Sequence, residues 1–228
     1  MQTTKLHLGC GLETPNGWIN LDGSWNAWLS NYPKLRKLLM YFHMIPEEKA
    51  KIVWNNDIFI HDVRKRLPFN DNYFGAIYSS HLLEHLYLEE AKHLLKECFR
   101  ILEPHGILRM VVPDLRAIII KYIEDMNNFN GTEAVSAADS FNMKLLLRAP
   151  QRSSGNLVYR IYSCLKDFHS HKWMYDAISL IGHFERAGFH EVREMKCYQS
   201  RISEIEKIER DKRKFHGTEI YIEGVKPT

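Results

Sequence analysis

Two groups of residues have the types and spacing to do chemistry. The first is Leu8-Gly9-Cys10-Gly11, a Gly-x-Gly turn directly after the short apolar run Leu6-His7-Leu8. Two glycines there let the backbone come close to a ligand at the carboxyl edge of a sheet. The third glycine of the dinucleotide fingerprint is missing, with Thr14 near its place and Pro15 following. The turn therefore suits a ligand that needs close backbone contact but no pyrophosphate cradle. Asp22 ends the next apolar run, where a carboxylate can accept from both hydroxyls of a ribose. Asp62 ends a third, where it can meet an adenine amino group. Acids at turns are commonly structural, yet their placement on successive strand ends, on one rim with Gly9 to Gly11, favours a nucleoside.

The second group is rich in histidine. His81, Glu84 and His85 stand at i, i+3 and i+4, which on a helix puts all three on one face. Such a trio can bind a divalent metal, with His171 or His169 completing the shell. The alternatives are a metal-free site in which His85, His81 or His171 is the general base, and histidines that are structural or touch substrate. Asp114 follows the apolar run Ile107–Val112 and Pro113. It reads equally as an acceptor contact and as the N-cap of the next helix.

These residues need an alternating framework to position them. Strands are expected at Leu6–Leu8, Trp18–Leu21, Asp57–Asp62, Ala76–Ser79, Ile107–Val112, Val192–Lys196 and Thr218–Glu223. Helices are expected at about Tyr32–His43, His81–Arg100, Leu115–Phe129 and Trp173–Ala187, the last ended by Gly188. That alternation predicts an α/β fold, a doubly wound and mostly parallel seven-stranded sheet. Ligands of such sheets sit beyond the carboxyl ends of the strands, where every residue singled out above falls.

Bulk properties narrow the class. A length of 228 residues fits one domain with helical insertions, here at about 24–56 and 115–172, which can act as lids. The 45% apolar and 26% charged fractions are those of a globular chain, and the net charge is only +3. The basic runs Lys34–Lys37 and Arg210–Lys214 are short and read as solvated faces, which argues against a nucleic-acid partner. Cys10, Cys98, Cys164 and Cys197 form no Cys-x-x-Cys pair, and the first residues lack a signal-peptide pattern. Reduced thiols in the cytoplasm are the expectation. No apolar run is long enough to span a bilayer.

The chain resembles class I S-adenosylmethionine-dependent methyltransferases, in particular the type 11-like bacterial enzymes found among surface-glycan genes. The resemblance is carried by Leu6–Gly11, Gly17–Asp22, His61–Phe69, Ile77–Leu86 and Leu108–Leu115, and then by His171–Asp176 with Ala187-Gly188-Phe189. It implies that Gly9, Cys10 and Gly11, with Leu8 at the strand end, wrap the methionine end of S-adenosylmethionine. It further implies that Asp22 takes the ribose, Asp62 and Val63 the adenine, and Ser79 and Ser80 the amino-acid portion. Two departures are Gly75, where the family has Asp, and His105, in place of the first residue of a Gly-Gly pair. The ubiquinone-pathway O-methyltransferases and small-RNA 2′-O-methyltransferases hold a metal with a similar Glu-x-x-Glu-His, where His81 here replaces the first Glu.

The activity implied is O-methylation of a sugar, glycan or related small hydroxylated acceptor. The catalytic candidates are His81, His85, His171 and Asp114, and the candidate metal ligands are His81, Glu84 and His85. The alternatives are an RNA or other small-molecule methyltransferase, or a non-catalytic nucleoside-binding scaffold subunit.

Overall fold

The computed structural model of the chain describes residues 4–42, 54–55, 57–127, 133–147, 170–209 and 219–228. Seven strands are present: β1 (Lys5–Leu8), β2 (Trp18–Asp22), β3 (Phe59–Ile60), β4 (Phe74–Ser80), β5 (Leu102–Pro113), β6 (His190–Met195) and β7 (Glu219–Val225). They form one sheet in the order β3-β2-β1-β4-β5-β7-β6. The pairings from β3 through β5 are parallel, and β7 runs antiparallel to both β5 and β6. Six strands therefore point their carboxyl ends to one rim, and β7 alone begins there.

The sheet is central because its strands are apolar on both faces. On one face Leu6, Leu8, Ile77 and Leu108 are fully buried beneath the helices. On the other, Ala76, Tyr78 and Val111 pack against Ile202, Ile205 and Ile208. Continuous apolar runs of this kind are what doubly covered parallel strands require.

The described helices are α1 (Trp25–Ser30), α2 (Pro33–Tyr41), α3 (Leu88–Ile101), α4 (Leu115–Asn127), α5 (Glu133–Leu145) and α6 (Ala177–Ala187). α3 covers the first face with Ala91, Leu94, Leu95, Cys98 and Ile101, one stripe at i, i+3, i+4, i+7 and i+10. Its completely buried Leu94 and Ile101 each contribute about 1.5–3 kcal/mol. The helix starts where Glu90 accepts the Tyr87 backbone N–H at 3.0 Å, and Arg100 ties its end to Glu97, Asp71 and two carbonyls. α6 ends on Gly188 at φ 106°, the left-handed cap expected from the glycine.

Four expectations shift. The region read as a helix from His81 is helical only from Leu88; residues 83–85 form a single 3-10 turn. The third strand contracts to Phe59–Ile60. α6 begins at Ala177 rather than Trp173, because Asp176 takes the Ser179 backbone N–H at 2.7 Å and fixes the start there. A short α1, capped by Ser24 through the Ala27 N–H at 3.2 Å, precedes the helix expected at Tyr32. The loop Gln151–Asn156, Cys164, His169 and the run Arg210–Lys214 lie outside the described residues.

Candidate active site

The rim is built from the end of β1 outwards. Gly9 and Gly11 adopt φ 65° and 56°, the left-handed region that costs a side-chain-bearing residue energy. A Cβ on Gly9 would press on the Leu82 side chain at 3.2 Å, whereas one on Gly11 would meet nothing within 4 Å. The loop is stitched to β2 by Cys10 N–H to the Leu21 carbonyl, 3.1 Å, and by Gly11 N–H to Asp22 Oδ2, 2.8 Å. Asp22 Oδ1 accepts the Ser24 N–H at 2.7 Å. A carboxylate oxygen holds two lone pairs, so each keeps one for a ligand. Across the rim, at the end of β4, Ser79 and Ser80 are buried, and Ser79 Oγ has no hydrogen-bond partner among the described residues.

Asp62 behaves differently from Asp22. Arg64 grips both its oxygens, Nε to Oδ1 and Nη2 to Oδ2, each at 2.8 Å. The Arg64 hydrogen bond, against the cost of partial burial, holds the Asp62 carboxyl below the usual carboxylate range. Val63 beside it is buried in the core.

The histidine group does not form a helix face. β4 ends as His81 turns to φ 52°, still donating its N–H to the Val111 carbonyl at 3.0 Å. A 3-10 turn over residues 83–85 follows. His81 Nδ1 lies 3.1 Å from Glu84 Oε1, and its Nε2 lies 3.7 Å from Glu219 Oε1. Burial opposes its charge, but the carboxylates of Glu219 and Glu84 outweigh that and raise the imidazolium to about 9. His81 is thus a cation at neutral pH and no proton acceptor, which removes it from the candidate bases.

Glu84, completely buried, faces the later segment. Its carbonyl accepts the N–H groups of Lys172 at 2.7 Å and Trp173 at 3.2 Å, which clamps His171 against the turn. The rings of His85 and His171 meet edge to face, centroids 5.0 Å apart. One donor atom each from Glu84, His85 and His171 lies within 4.8 Å of the others. The three-residue cluster is therefore Glu84, His85 and His171, not His81, Glu84 and His85. His85 Nδ1 stands 3.2 Å from the Ser170 carbonyl, so it carries the proton and leaves Nε2 with a lone pair. Glu84 Oε2, His171 Nδ1 and Tyr175 Oη are buried with no hydrogen-bond partner among the described residues. Burial lowers the His171 pKa and raises that of Tyr175, the latter with help from Glu84.

Asp114 is a helix cap. Its Oδ1 accepts the Arg116 N–H at 2.9 Å at the start of α4, and it bridges in parallel to Tyr175. Sequence reasoning missed Glu219 and Tyr175. Glu219 opens β7 opposite Pro113, and only the reversed direction of that strand brings its first residue to the ligand rim. Tyr175 lay in a stretch already singled out beside His171, and its signal was that proximity.

A seven-stranded sheet with only the sixth strand in spatial order reversed, and a glycine loop after its central β1, defines the architecture of class I methyltransferases. Residues 27–110 match the family described as a methyltransferase domain. Together with the fold, this match, which spans less than half of the chain, supports an S-adenosylmethionine-dependent methyltransferase. Similar solved structures include an S-adenosylmethionine-dependent methyltransferase from Archaeoglobus fulgidus, 15% identical over 98% of this chain and 86% of that one, with a TM-score of 0.49. Another, from Methanosarcina mazei, is 15% identical over 99% of this chain and 92% of that one, also with a TM-score of 0.49. A third, from Haloferax volcanii, is a complex of the Trm112 methyltransferase activator with a methyltransferase; it is 15% identical over 100% of this chain and 84% of that one, with a TM-score of 0.46. No curated protein sequence matches the chain. No described helix is long and apolar enough to cross a membrane.

Proposed function

We propose that the enzyme methylates an oxygen of a sugar, glycan or related small hydroxylated acceptor, with the acceptor hydroxyl set against Glu84, His85 and His171. The observation that carries this reading is the cluster itself: two imidazoles and a carboxylate within 4.8 Å, with Glu84 and His85 on the turn that follows Ser79 and Ser80 and His171 brought to it from the later segment. Methyl transfer to oxygen gains from a group that draws off the hydroxyl proton or stabilises the alkoxide. Transfer to a better nucleophile has less need of such a group. The saccharide class follows from the resemblance to enzymes found among surface-glycan genes. The free thiols of Cys10, Cys98 and Cys197 support a cytoplasmic setting.

The cofactor fits the rim by three observations: the open space in front of Gly11, the spare lone pairs of Asp22, and the unpartnered Ser79 Oγ. Gly9, Cys10 and Gly11, with Leu8 behind them, hold its methionine end, Asp22 its ribose, and Ser79 and Ser80 its amino-acid portion. Val63 lines the adenine side, where Asp62 takes part with the lone pairs that Arg64 leaves over. When bound, S-adenosylmethionine supplies an electrophilic methyl group on a sulfonium. The chain's own residues position the acceptor in line and exclude water around it.

The test is calorimetry with S-adenosylhomocysteine, followed by radiolabelled methyl transfer over sugar nucleotides, glycans and RNA. Cofactor binding with turnover of a hydroxylated saccharide is the expected result. Turnover of RNA alone would replace the acceptor class, and binding with no turnover on any acceptor would favour a scaffold role.

A further inference from the structure

We propose that Glu84, His85 and His171 form a three-ligand site for one divalent transition-metal ion. Their donor atoms already converge within 4.8 Å, close to what a shared ion requires before it draws its ligands in. The cluster leaves two buried polar atoms, Glu84 Oε2 and His171 Nδ1, without any hydrogen-bond partner among the described residues. Buried polar atoms are normally paired, and an unpaired carboxylate oxygen beside an unpaired imidazole nitrogen points to a ligand that both would hold.

The surroundings orient the three side chains as a metal site needs. The Ser170 carbonyl fixes the His85 tautomer by accepting from Nδ1, which leaves Nε2 for coordination. His81 holds the other oxygen of Glu84, at 3.1 Å to Oε1. The Glu84 carbonyl clamps the backbone at Lys172 and Trp173, which keeps His171 in place. Glu84 and His85 thus each have a partner that is not itself a ligand, and the His171 backbone N–H is held by the Leu146 carbonyl at 2.9 Å. Two imidazoles and one carboxylate select zinc, manganese or cobalt over magnesium or calcium, which prefer oxygen alone. Three protein ligands also leave coordination positions open.

The catalytic use of the ion rests on the O-methylation reading. An open position would take the acceptor oxygen. The O–H bond breaks with its electron pair left on oxygen and its proton passed to water, and the oxygen is then ready to receive the methyl group. In this arrangement His85 and His171 act through the ion and do not take the proton themselves.

The experiment uses the full chain without a histidine tag, stripped with a chelator and titrated with Co2+ while visible absorption is followed, with Zn2+ as competitor. The expected result is one equivalent of Co2+ with tetrahedral or five-coordinate d–d bands, displaced by Zn2+. Glu84→Gln and His171→Ala should each weaken Co2+ binding by roughly 100-fold or more, while His105→Ala, exposed near the start of β5 and away from the ligand rim, binds as the parent does. Binding of S-adenosylhomocysteine to each variant confirms that it has folded. Parent protein that binds the cofactor product but gives no d–d bands would overturn the metal site and leave the methyltransferase standing. Undiminished Co2+ binding in both variants would overturn it equally. Metal binding without methyl transfer to any hydroxylated acceptor would remove the O-methylation reading and leave the site in place.

Discussion

Two buried clusters of charge sit on this sheet, and they differ in how completely they are satisfied. Around Arg109, which is wholly buried on β5, every direction is answered. Glu209 takes Nε and Nη2, Glu223 takes Nη1, and the carbonyls of Gln199 and Lys196 accept the remaining N–H groups. Ser200 donates to Glu223, and the Tyr198 N–H reaches Glu209. Around Glu84 the pairing stops half-way, with Oε2, His171 Nδ1 and Tyr175 Oη left over. A closed network is a clasp: it fastens residues 196–209 across the second face of the sheet. A half-closed one is costly unless something else completes it, and that marks it as a place for binding. The acid count is similar in both clusters. The unanswered atoms separate them.

The largest effect should come from breaking the clasp. Arg109→Met leaves Glu209 and Glu223 buried without their cation, and breaking such a pair costs about 3–5 kcal/mol. Urea denaturation should show that loss. A change below about 1 kcal/mol would mean that the network contributes little and that the contrast with Glu84 is empty. Glu84→Gln should behave differently. It keeps volume, and Glu219 remains beside the His81 cation at 3.7 Å, so stability should fall less than in Arg109→Met. Methyl transfer at saturating cofactor should fall by roughly 100-fold or more, the scale of a lost acid–base or metal-linked group. Equal damage to stability in the two variants would make Glu84 a second clasp.

The two sides of the rim were also unequally legible in the sequence. Gly9 to Gly11 and Asp22 could be placed because short-range backbone rules decide them: two left-handed turns, one carboxylate, and a strand pair in fixed register. The parallel strands could be placed for a related reason, since burial on both faces makes them continuous apolar runs. The histidine side was misread. Leu82, Leu83 and Leu86 imitate the apolar stripe of a helix, and Leu and Glu are good helix formers. In the fold Leu83 and Leu86 are buried, and Leu82 partly so, in a strand-to-helix connection, where tertiary packing overrides local propensity. His171 was expected beside this group, but Glu219 joins it from 135 residues beyond Glu84 (219 − 84), and no local pattern carries that information. The capping role of Asp114 rests on a single hydrogen bond from the Arg116 N–H, a feature that spacing does not contain.

Smaller effects test the well-read side. Gly11→Ala places a Cβ at φ 56°, which costs about 1–2 kcal/mol for an L-residue. Its side chain enters the open space assigned to the cofactor, so calorimetry should find weaker S-adenosylhomocysteine binding together with modest destabilisation. Unchanged affinity would move the cofactor away from this loop and leave Ser79 and Asp22 to be explained otherwise.

The smallest effect belongs to Asp176, a carboxylate whose partner is backbone and whose setting is near the surface. Its Oδ1 accepts the Ser179 N–H at 2.7 Å at the start of α6. That backbone hydrogen bond, followed by the one to the Ser179 side chain, holds its pKa below the ordinary aspartate value. Loss of such a cap in Asp176→Ala should cost about 1 kcal/mol at neutral pH, kept modest by solvent. The sign of the pH dependence follows from the direction of the shift. A carboxyl that is more acidic folded than unfolded contributes fully above its unfolded pKa of about 3.9 and loses that contribution as pH falls through the folded value. The stability gap between parent and variant should therefore be constant from pH 7 down to about 5 and close below about 4. A gap that persisted in acid would mean that Asp176 acts through packing rather than through its charge. It would also remove the third point of the comparison, an acid that is neither buried in a clasp nor left open for a ligand.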